Sequence, residues 1–180
     1  MKTYSLEEIK KMSEKNPNYI AEDYEDEKDY TIEELDKAKT KILKYILYKK
    51  RTESEVRKKF SREFDENIIE DIIEEFRENG YLNDENYIKR AVDEFITLRN
   101  LSIKEIKYKL IAKGIRTKDL DNYFSIYDDK LSEYEKKSAY NIVQKKKSQM
   151  EELELKRYLM KKGYREESIK EALWCRIFLH

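Results

Sequence analysis

The sequence of 180 residues has very few of the residues that interrupt regular structure, with three glycines and one proline. This scarcity argues against a fold of strands joined by tight turns. The one cysteine, Cys175, excludes an internal disulfide. The sequence also lacks an apolar targeting segment and any apolar run of about 18 residues that would cross a membrane. We therefore expect a cytoplasmic protein that does not associate with membranes.

The residues that carry most enzyme chemistry are also scarce. The single histidine is His180, and Cys175 lies beside Trp174, where we interpret it as a buried structural thiol. No glycine-rich phosphate loop, metal-ligand spacing or histidine-paired nucleophile is present. Carboxylate pairs such as Asp128–Asp129 are interpreted as exposed turn charges. The sequence predicts a protein that is not an enzyme and that holds no metal and no cofactor.

Charge is abundant and unevenly placed along the chain. Charged residues make up 43% of the sequence and sum to zero, and this composition is typical of amphipathic helices. Residues 1–35 carry eleven acids and five bases, whereas residues 130–180 carry thirteen bases and eight acids. An acidic arm and a basic carboxy-terminal end would suit contact with a polyanion or an acidic protein surface. The alternative is that these charges form ordinary solvated helix faces.

Helix start signals of the form Ser/Thr-x-x-Glu recur, and each precedes an apolar residue. They begin at Ser5, Thr31, Thr52 and Ser102. Between them the apolar residues repeat at helical spacing, as in Ile68, Ile69, Ile72, Ile73 and Phe76. Alternation with a period of two is not sustained anywhere. The pattern predicts an all-α protein with many helices.

The stretch NGYLNDENYI, residues 79–88, predicts a corner between two helices. Gly80 takes the left-handed conformation after a helix without a steric penalty. Tyr81 or Leu82 then folds back onto the last turn, and Asn83 or Asp84 caps the next helix.

Gly114 and Gly163 each follow a lysine, precede an apolar residue, and lie 49 residues apart. Aligning RTESEVRKKFSREF, NLSIKEIKYKLIAKGI and MEELELKRYLMKKGY brings Glu55, Glu105 and Glu154 into one column. The period of about fifty residues has room for three short helices. The first copy has no glycine before Phe64, which predicts a turn that is one residue tighter.

We interpret the chain as three tandem three-helix repeats. A unit of this size cannot bury its apolar face alone, so neighbouring units must stack and share a core. The predicted result is an elongated, curved, right-angled helical array. The expected boundaries are an acidic amino-terminal arm with a short helix at 1–35, and repeats at 36–82, 83–129 and 130–180.

The run GYLNDENYI, together with KLIAKGI and KRYLMKKGY, resembles the RecX family of regulators of the RecA recombinase. Three three-helix repeats with a Gly-aromatic-Leu corner characterise that family. The resemblance covers about residues 36–175, and SREF in the first repeat and the arm at 1–35 depart from it. It implies a protein that binds the RecA filament on single-stranded DNA and limits its growth, ATPase, strand-exchange and coprotease activity. These processes belong to homologous recombination, DNA repair and the SOS response.

We predict that bases in all three repeats face the partner, through ion pairs with an acidic protein surface or contacts with DNA phosphate. They are Lys49, Lys50, Arg51, Arg57, Lys58, Lys113, Arg116, Lys145, Lys146, Lys147, Lys156, Arg157, Lys161, Lys162 and Arg165. The alternative for each is an ordinary solvated side chain.

Two other functions stay open. Some tyrosines lie beside bases, an arrangement that single-strand binders use for stacking, although half-buried wall residues are the favoured interpretation. They are Tyr45, Tyr48, Tyr108, Tyr140 and Tyr158. The alternatives are a helical-repeat protein that binds single-stranded or double-stranded DNA directly, or a peptide-binding scaffold. Zero net charge counts against strong direct DNA binding. We expect a monomer.

Overall fold

A computed structural model of the protein describes residues 30–178, with side chains described as far as Trp174. These residues form nine α-helices and no strand, which confirms the all-α class. The helices are α1 (Ile32–Tyr48), α2 (Glu53–Phe60), α3 (Glu66–Glu78), α4 (Asp84–Leu98), α5 (Ile103–Ile111), α6 (Thr117–Ile126), α7 (Asp128–Lys146), α8 (Glu152–Lys162) and α9 (Glu166–Phe178). None of them is long and apolar enough to span a membrane.

The chain divides into two units, residues 1–35 and 36–180. In the first unit the described part is residues 30–35, which include the start of α1. There the Thr31 hydroxyl accepts a hydrogen bond from the Glu34 amide at 3.2 Å, and Glu34 accepts one from the Thr31 amide at 3.0 Å. The predictions for the Ser5 helix, for the tether up to residue 29 and for the Cys175 thiol lie outside the described residues and side chains.

In the second unit, two further capping boxes confirm the predicted helix starts. The hydroxyls of Thr52 and Ser102 each accept a hydrogen bond at 3.1 Å from the amide of the glutamate three residues later. Those glutamates, Glu55 and Glu105, accept in return from the cap amides at 3.2 Å. Both hydroxyl residues are fully buried, so their polar atoms need further partners.

The three glycines end helices in the left-handed conformation, as predicted, with φ of +73° at Gly80 and +81° at Gly114 and Gly163. After Gly80, the Leu82 amide donates to the Phe76 carbonyl at 2.9 Å, and Leu82 is 1% exposed. Leu82 is therefore the residue that folds back into the core. Of the two predicted caps for α4, Asn83 is the one used, because its side chain accepts from the Asn86 amide at 2.8 Å.

The corner after α2 has no glycine and no positive φ. There the Phe64 amide donates to the Phe60 carbonyl, four residues back, at 3.1 Å. In the corner after α5, the Ile115 amide reaches Leu110, five residues back, at 3.2 Å. The first corner is therefore one residue tighter, as the alignment predicted.

Buried apolar residues group the later helices in threes. One core belongs to α4, α5 and α6, with Leu131 of α7 added: Ile88, Val92, Ile103, Ile106, Leu110, Ile115, Leu120, Phe124 and Leu131. Another belongs to α7, α8 and α9: Ala139, Val143, Leu155, Leu159, Tyr164, Ile169, Ala172 and Leu173. This grouping supports the three-helix repeats, whose boundaries stay a prediction.

The amino-terminal end of α2 meets the carboxy-terminal end of α5. The Thr52 hydroxyl donates to the Lys113 carbonyl at 2.7 Å, and the Lys113 ammonium donates to Glu55 at 2.9 Å. Nearby, the Glu53 amide donates to Asp84 of α4 at 3.1 Å. Polar groups that have no partner within their own helix thus form hydrogen bonds between the two helix ends.

The same joint recurs between α5 and α8. The Ser102 hydroxyl donates to the Lys162 carbonyl at 2.6 Å, and the Lys162 ammonium donates to Glu105 at 3.0 Å. The Ile103 amide donates at 2.8 Å to Glu135, a carboxylate of α7 that is fully buried. Glu135 also accepts from the Arg165 amide at 3.2 Å and from Ser168 at 3.1 Å, so it holds the start of α9 as well.

At the joint between α2 and α5, which we call the first joint, the absence of a side chain at Gly114 lets the two helix ends come into contact. A Cβ atom added at Gly114 would lie 2.0 Å from the Ser54 hydroxyl oxygen, whereas one added at Gly80 would meet no atom within 4 Å. Both glycines have positive φ, so both carry the same conformational requirement. The two positions therefore separate the conformational effect from the effect of close packing.

We predict that Gly80→Ala destabilises the protein by about 1 kcal/mol, because alanine is strained at positive φ. Gly114→Ala should cost about 1 to 3 kcal/mol more, because its methyl group also pushes α2 and α5 apart. Urea denaturation followed by circular dichroism measures both values. Equal losses for the two variants would contradict the close packing at the joint.

Candidate partner-binding surface

The predicted partner-binding bases of the first repeat fall into two groups. Arg57 Nε donates to Glu70 at 2.6 Å, and this hydrogen bond raises the pKa of Arg57. The Arg51 guanidinium lies 4.4 Å from the centre of the Tyr45 ring. Both arginines are therefore engaged within the chain. The remaining three, Lys49, Lys50 and Lys58, are exposed.

The two predicted bases of the second repeat have acidic partners. Lys113 holds Glu55 at the first joint, and the hydrogen bond between them raises the lysine pKa. Arg116 pairs with Asp119 at 2.8 Å, although its side chain is 82% exposed. Lys113 therefore has a structural role in the chain, and Arg116 presents a guanidinium whose charge is shared with a neighbouring carboxylate.

In the third repeat three of the predicted bases are also engaged. Lys162 holds Glu105 at the second joint, and Arg165 Nη2 lies 2.7 Å from Asp128. The Lys146 ammonium lies 5.0 Å from the centre of the Tyr158 ring. This last contact places the end of α7, with its three consecutive lysines, beside α8.

The other five predicted bases of the third repeat are exposed and make no ion pair with the described residues. We name them the α8 basic surface: Lys145, Lys147, Lys156, Arg157 and Lys161. On α8 these side chains lie away from Leu155 and Leu159, which are fully buried. Three of these bases lie on α8, and the other two, Lys145 and Lys147, lie at the carboxy-terminal end of α7 and directly after it.

The predicted wall role suits three of the five tyrosines. Tyr45 packs edge-on against Phe60 at 5.6 Å, and Tyr140 and Tyr158 border the core of α7, α8 and α9. Tyr48 and Tyr108, in contrast, are 88% and 60% exposed.

The joints were not recognised from the sequence, although one signal was present. The glutamate column that aligns the repeats includes both joint carboxylates, and each is matched by a lysine directly before a glycine. The buried Glu135 was missed as well, although Asp84, 51 residues earlier, is its counterpart, since it accepts from the Glu53 amide as Glu135 accepts from the Ile103 amide.

The fold and these joints define an all-α protein assembled from short helices that meet end to end. No family model matches the chain. The crystal structure of RecX from Lactobacillus salivarius superimposes with a TM-score of 0.71 at 22% identity, covering 80% of this chain and 97% of that one. A second crystal structure, of a regulatory protein RecX, has a TM-score of 0.67 at 20% identity and covers 93% of this chain and 78% of the other.

Sequence relatives carry the same family name. The regulatory protein RecX of Clostridium beijerinckii is 33% identical over 147 residues, which cover 76% of this chain and 67% of the relative. The RecX of Caldanaerobacter subterraneus subsp. tengcongensis is 32% identical over 144 residues, covering 78% and 71%. The chain belongs to the RecX family of regulatory proteins. It spans about two thirds of the length of the curated relatives it matches.

The first joint makes stability depend on pH. Burial raises the pKa of Glu55, but hydrogen bonds from Lys113 and from the Thr52 amide together lower it below its ordinary 4.5. A carboxyl group with a lowered pKa adds stability above that value, and the contribution is lost as the pH falls through the folded-state pKa.

We predict that the free energy of unfolding of the wild type falls as the pH is lowered from about 6 to about 3, and that Glu55→Gln shows a smaller fall. Urea denaturation across this range provides the measurement. Glu94→Gln, at an exposed position of α4, serves as the control and should keep the wild-type profile. A Glu55→Gln profile parallel to the wild type would rule out the joint as a source of the pH dependence.

Proposed function

We propose that this protein binds the RecA recombinase filament on single-stranded DNA and limits its growth, thereby lowering its ATPase, strand-exchange and coprotease activity. The observation that carries the proposal is membership of the RecX family. No chemical step is needed, because a protein that binds one assembly state better than another shifts the equilibrium between them. The protein would therefore act in homologous recombination, DNA repair and the SOS response as a binding protein and not as an enzyme.

The α8 basic surface is the proposed contact, together with Lys49, Lys50 and Lys58 of the first repeat. These bases are exposed and make no ion pair with the described residues, so they are available to carboxylates of the partner or to DNA phosphates. Lys113 and Lys162 are less suitable, because a partner would have to compete with Glu55 and Glu105 for them. Contacts in two repeats would add through effective concentration on a polymer.

Direct DNA binding without RecA is the second candidate, supported by the basic run at 145–147 beside Tyr158. Net charge of zero limits sequence-independent affinity for DNA, because such binding is mostly phosphate neutralisation. A gel shift on single-stranded DNA, with and without RecA and nucleotide, distinguishes the two. Binding without RecA and with a steep salt dependence would favour the second candidate.

We predict that the protein inhibits the DNA-dependent ATPase of RecA at substoichiometric amounts, as expected for action on the polymer. The triple variant Lys147→Glu/Arg157→Glu/Lys161→Glu should need about tenfold more protein for half-inhibition, because reversed charges repel the same acidic or phosphate groups. ATPase activity measured across a titration of each protein gives these values.

The control for the ATPase titration is Lys89→Glu/Arg90→Glu/Lys118→Glu, which makes the same change in charge at exposed positions of α4 and α6. It should inhibit as the wild type does. Equal inhibition by both triple variants would exclude the α8 basic surface as the contact. Absence of inhibition by the wild type would overturn the proposed function.

A further inference from the structure

A cavity of about 580 Å³ lies between α8 and α9 of the third repeat. Its floor includes Tyr164, Ile169 and Leu173, which are 2% to 7% exposed. Its rim includes Met160 and Trp174, which are 60% and 65% exposed. Large apolar side chains in contact with solvent at the edge of a cavity are typical of a binding surface. We name it the α8–α9 cavity.

The corresponding surface in the first two repeats carries an ion pair between the second and third helices. In the first repeat Arg57 of α2 lies 2.6 Å from Glu70 of α3. In the second repeat Lys107 of α5 lies 2.9 Å from Asp121 of α6. Glu70 directly follows the buried Ile69, and Asp121 directly follows the buried Leu120. The two bases each directly follow a buried residue of the second helix.

The third repeat keeps the base and replaces the acid. By the same alignment, Lys156 stands in the column of Arg57 and Lys107, and Lys170 stands in the column of Glu70 and Asp121. Both lysines line the α8–α9 cavity. Lys170 pairs with Glu166 at 2.9 Å, whereas Lys156 makes no ion pair with the described residues. The column that holds a carboxylate in the other repeats therefore holds a lysine here. The carboxylate that Lys156 senses is Glu166, because the hydrogen bond from Lys170 and also the charge of Lys156 lower the pKa of Glu166.

In one neighbouring column a large apolar side chain replaces exposed polar ones. Trp174 occupies the column of Glu74 and Ser125, both of which are exposed. Met160, which is 60% exposed, occupies the column of Ser61 in the first repeat and of Ile111 in the second, where the isoleucine is 41% exposed. The third repeat thus differs from the others in two ways on one surface, because it loses an acid and gains exposed apolar area. The acids that line the cavity, Glu152 and Glu166, lie in the first turns of α8 and α9, where the helix dipoles stabilise them.

We infer that the α8–α9 cavity is a docking site for an acidic peptide segment of a partner protein. An apolar side chain of the segment enters between Met160 and Trp174. A neighbouring carboxylate binds Lys156, in the place that Glu70 and Asp121 occupy in the other repeats. This inference extends beyond the proposed function, since it specifies the chemistry of the partner without requiring that the partner be RecA.

Trp174 is the single tryptophan of the chain, so its fluorescence reports directly on the cavity. The experiment titrates the full-length protein with a short peptide of alternating glutamate and leucine. We expect a saturable shift of the emission to shorter wavelength, because the peptide removes water from the indole. Lys156→Glu should weaken binding about tenfold, since it removes a charge-assisted hydrogen bond and adds repulsion. The control Lys118→Glu, at an exposed position of α6, should bind as the wild type does.

Three results would overturn the inference. The first is an emission that stays unchanged at saturating peptide. The second is equal binding of a peptide of alternating lysine and leucine, because the cavity would then have no preference for acidic residues. A single-stranded oligonucleotide that produced the same shift would identify nucleic acid as the occupant. Inhibition of the RecA ATPase is tested separately with Lys147, Arg157 and Lys161, none of which lines the cavity, so failure here is distinguishable from failure of the proposed function.

Discussion

The structure depends on one hydroxyl group at each helix-to-helix joint. The Thr52 hydroxyl accepts from the Glu55 amide inside its own helix and donates to the Lys113 carbonyl at the end of another helix. The hydroxyl therefore uses its proton and one of its two lone pairs, and it satisfies one amide and one carbonyl that have no partner within their own helices. The positive end of one helix dipole meets the negative end of the next, so the joint is also favourable electrostatically. Ser102 repeats this arrangement with Lys162.

Short helices make such joints necessary. The helices α2 and α5 contain 8 and 9 residues, and isolated helices of fewer than about 12 are marginal in water. A large fraction of their backbone groups belongs to the first and last turns, where no partner exists within the helix. Packing against a core supplies most of their stability, while the joint supplies the missing partners. The ion pairs at the joints are partly exposed and contribute about 1 kcal/mol or less each.

Local patterns were readable from the sequence, whereas pairings between distant residues were not. The caps at Thr52 and Ser102 and the corners at Gly80 and Gly114 involve neighbours along the chain, so residue type and spacing determine them. Lys113 and Lys147 were both predicted to face the partner, but one is bound to a glutamate from an earlier repeat and the other is exposed. The contribution of Glu135 was equally hidden, because a buried acid is recognised only when its three donors are brought to it.

The tight corner before Phe64 shows how a protein of this kind could grow by duplication. Glycine is needed at the corners of α5 and α8 because φ is positive there and because the helix start of an earlier copy lies close, at Ser54 and at Lys104. The corner of α2 has no positive φ and carries Glu63 instead, whose carboxylate accepts from the Lys41 ammonium of α1. Duplication of a repeat that already has a glycine at this corner would therefore need no new glycine. Addition of a repeat ahead of α1 would first require a glycine at the corner of α2.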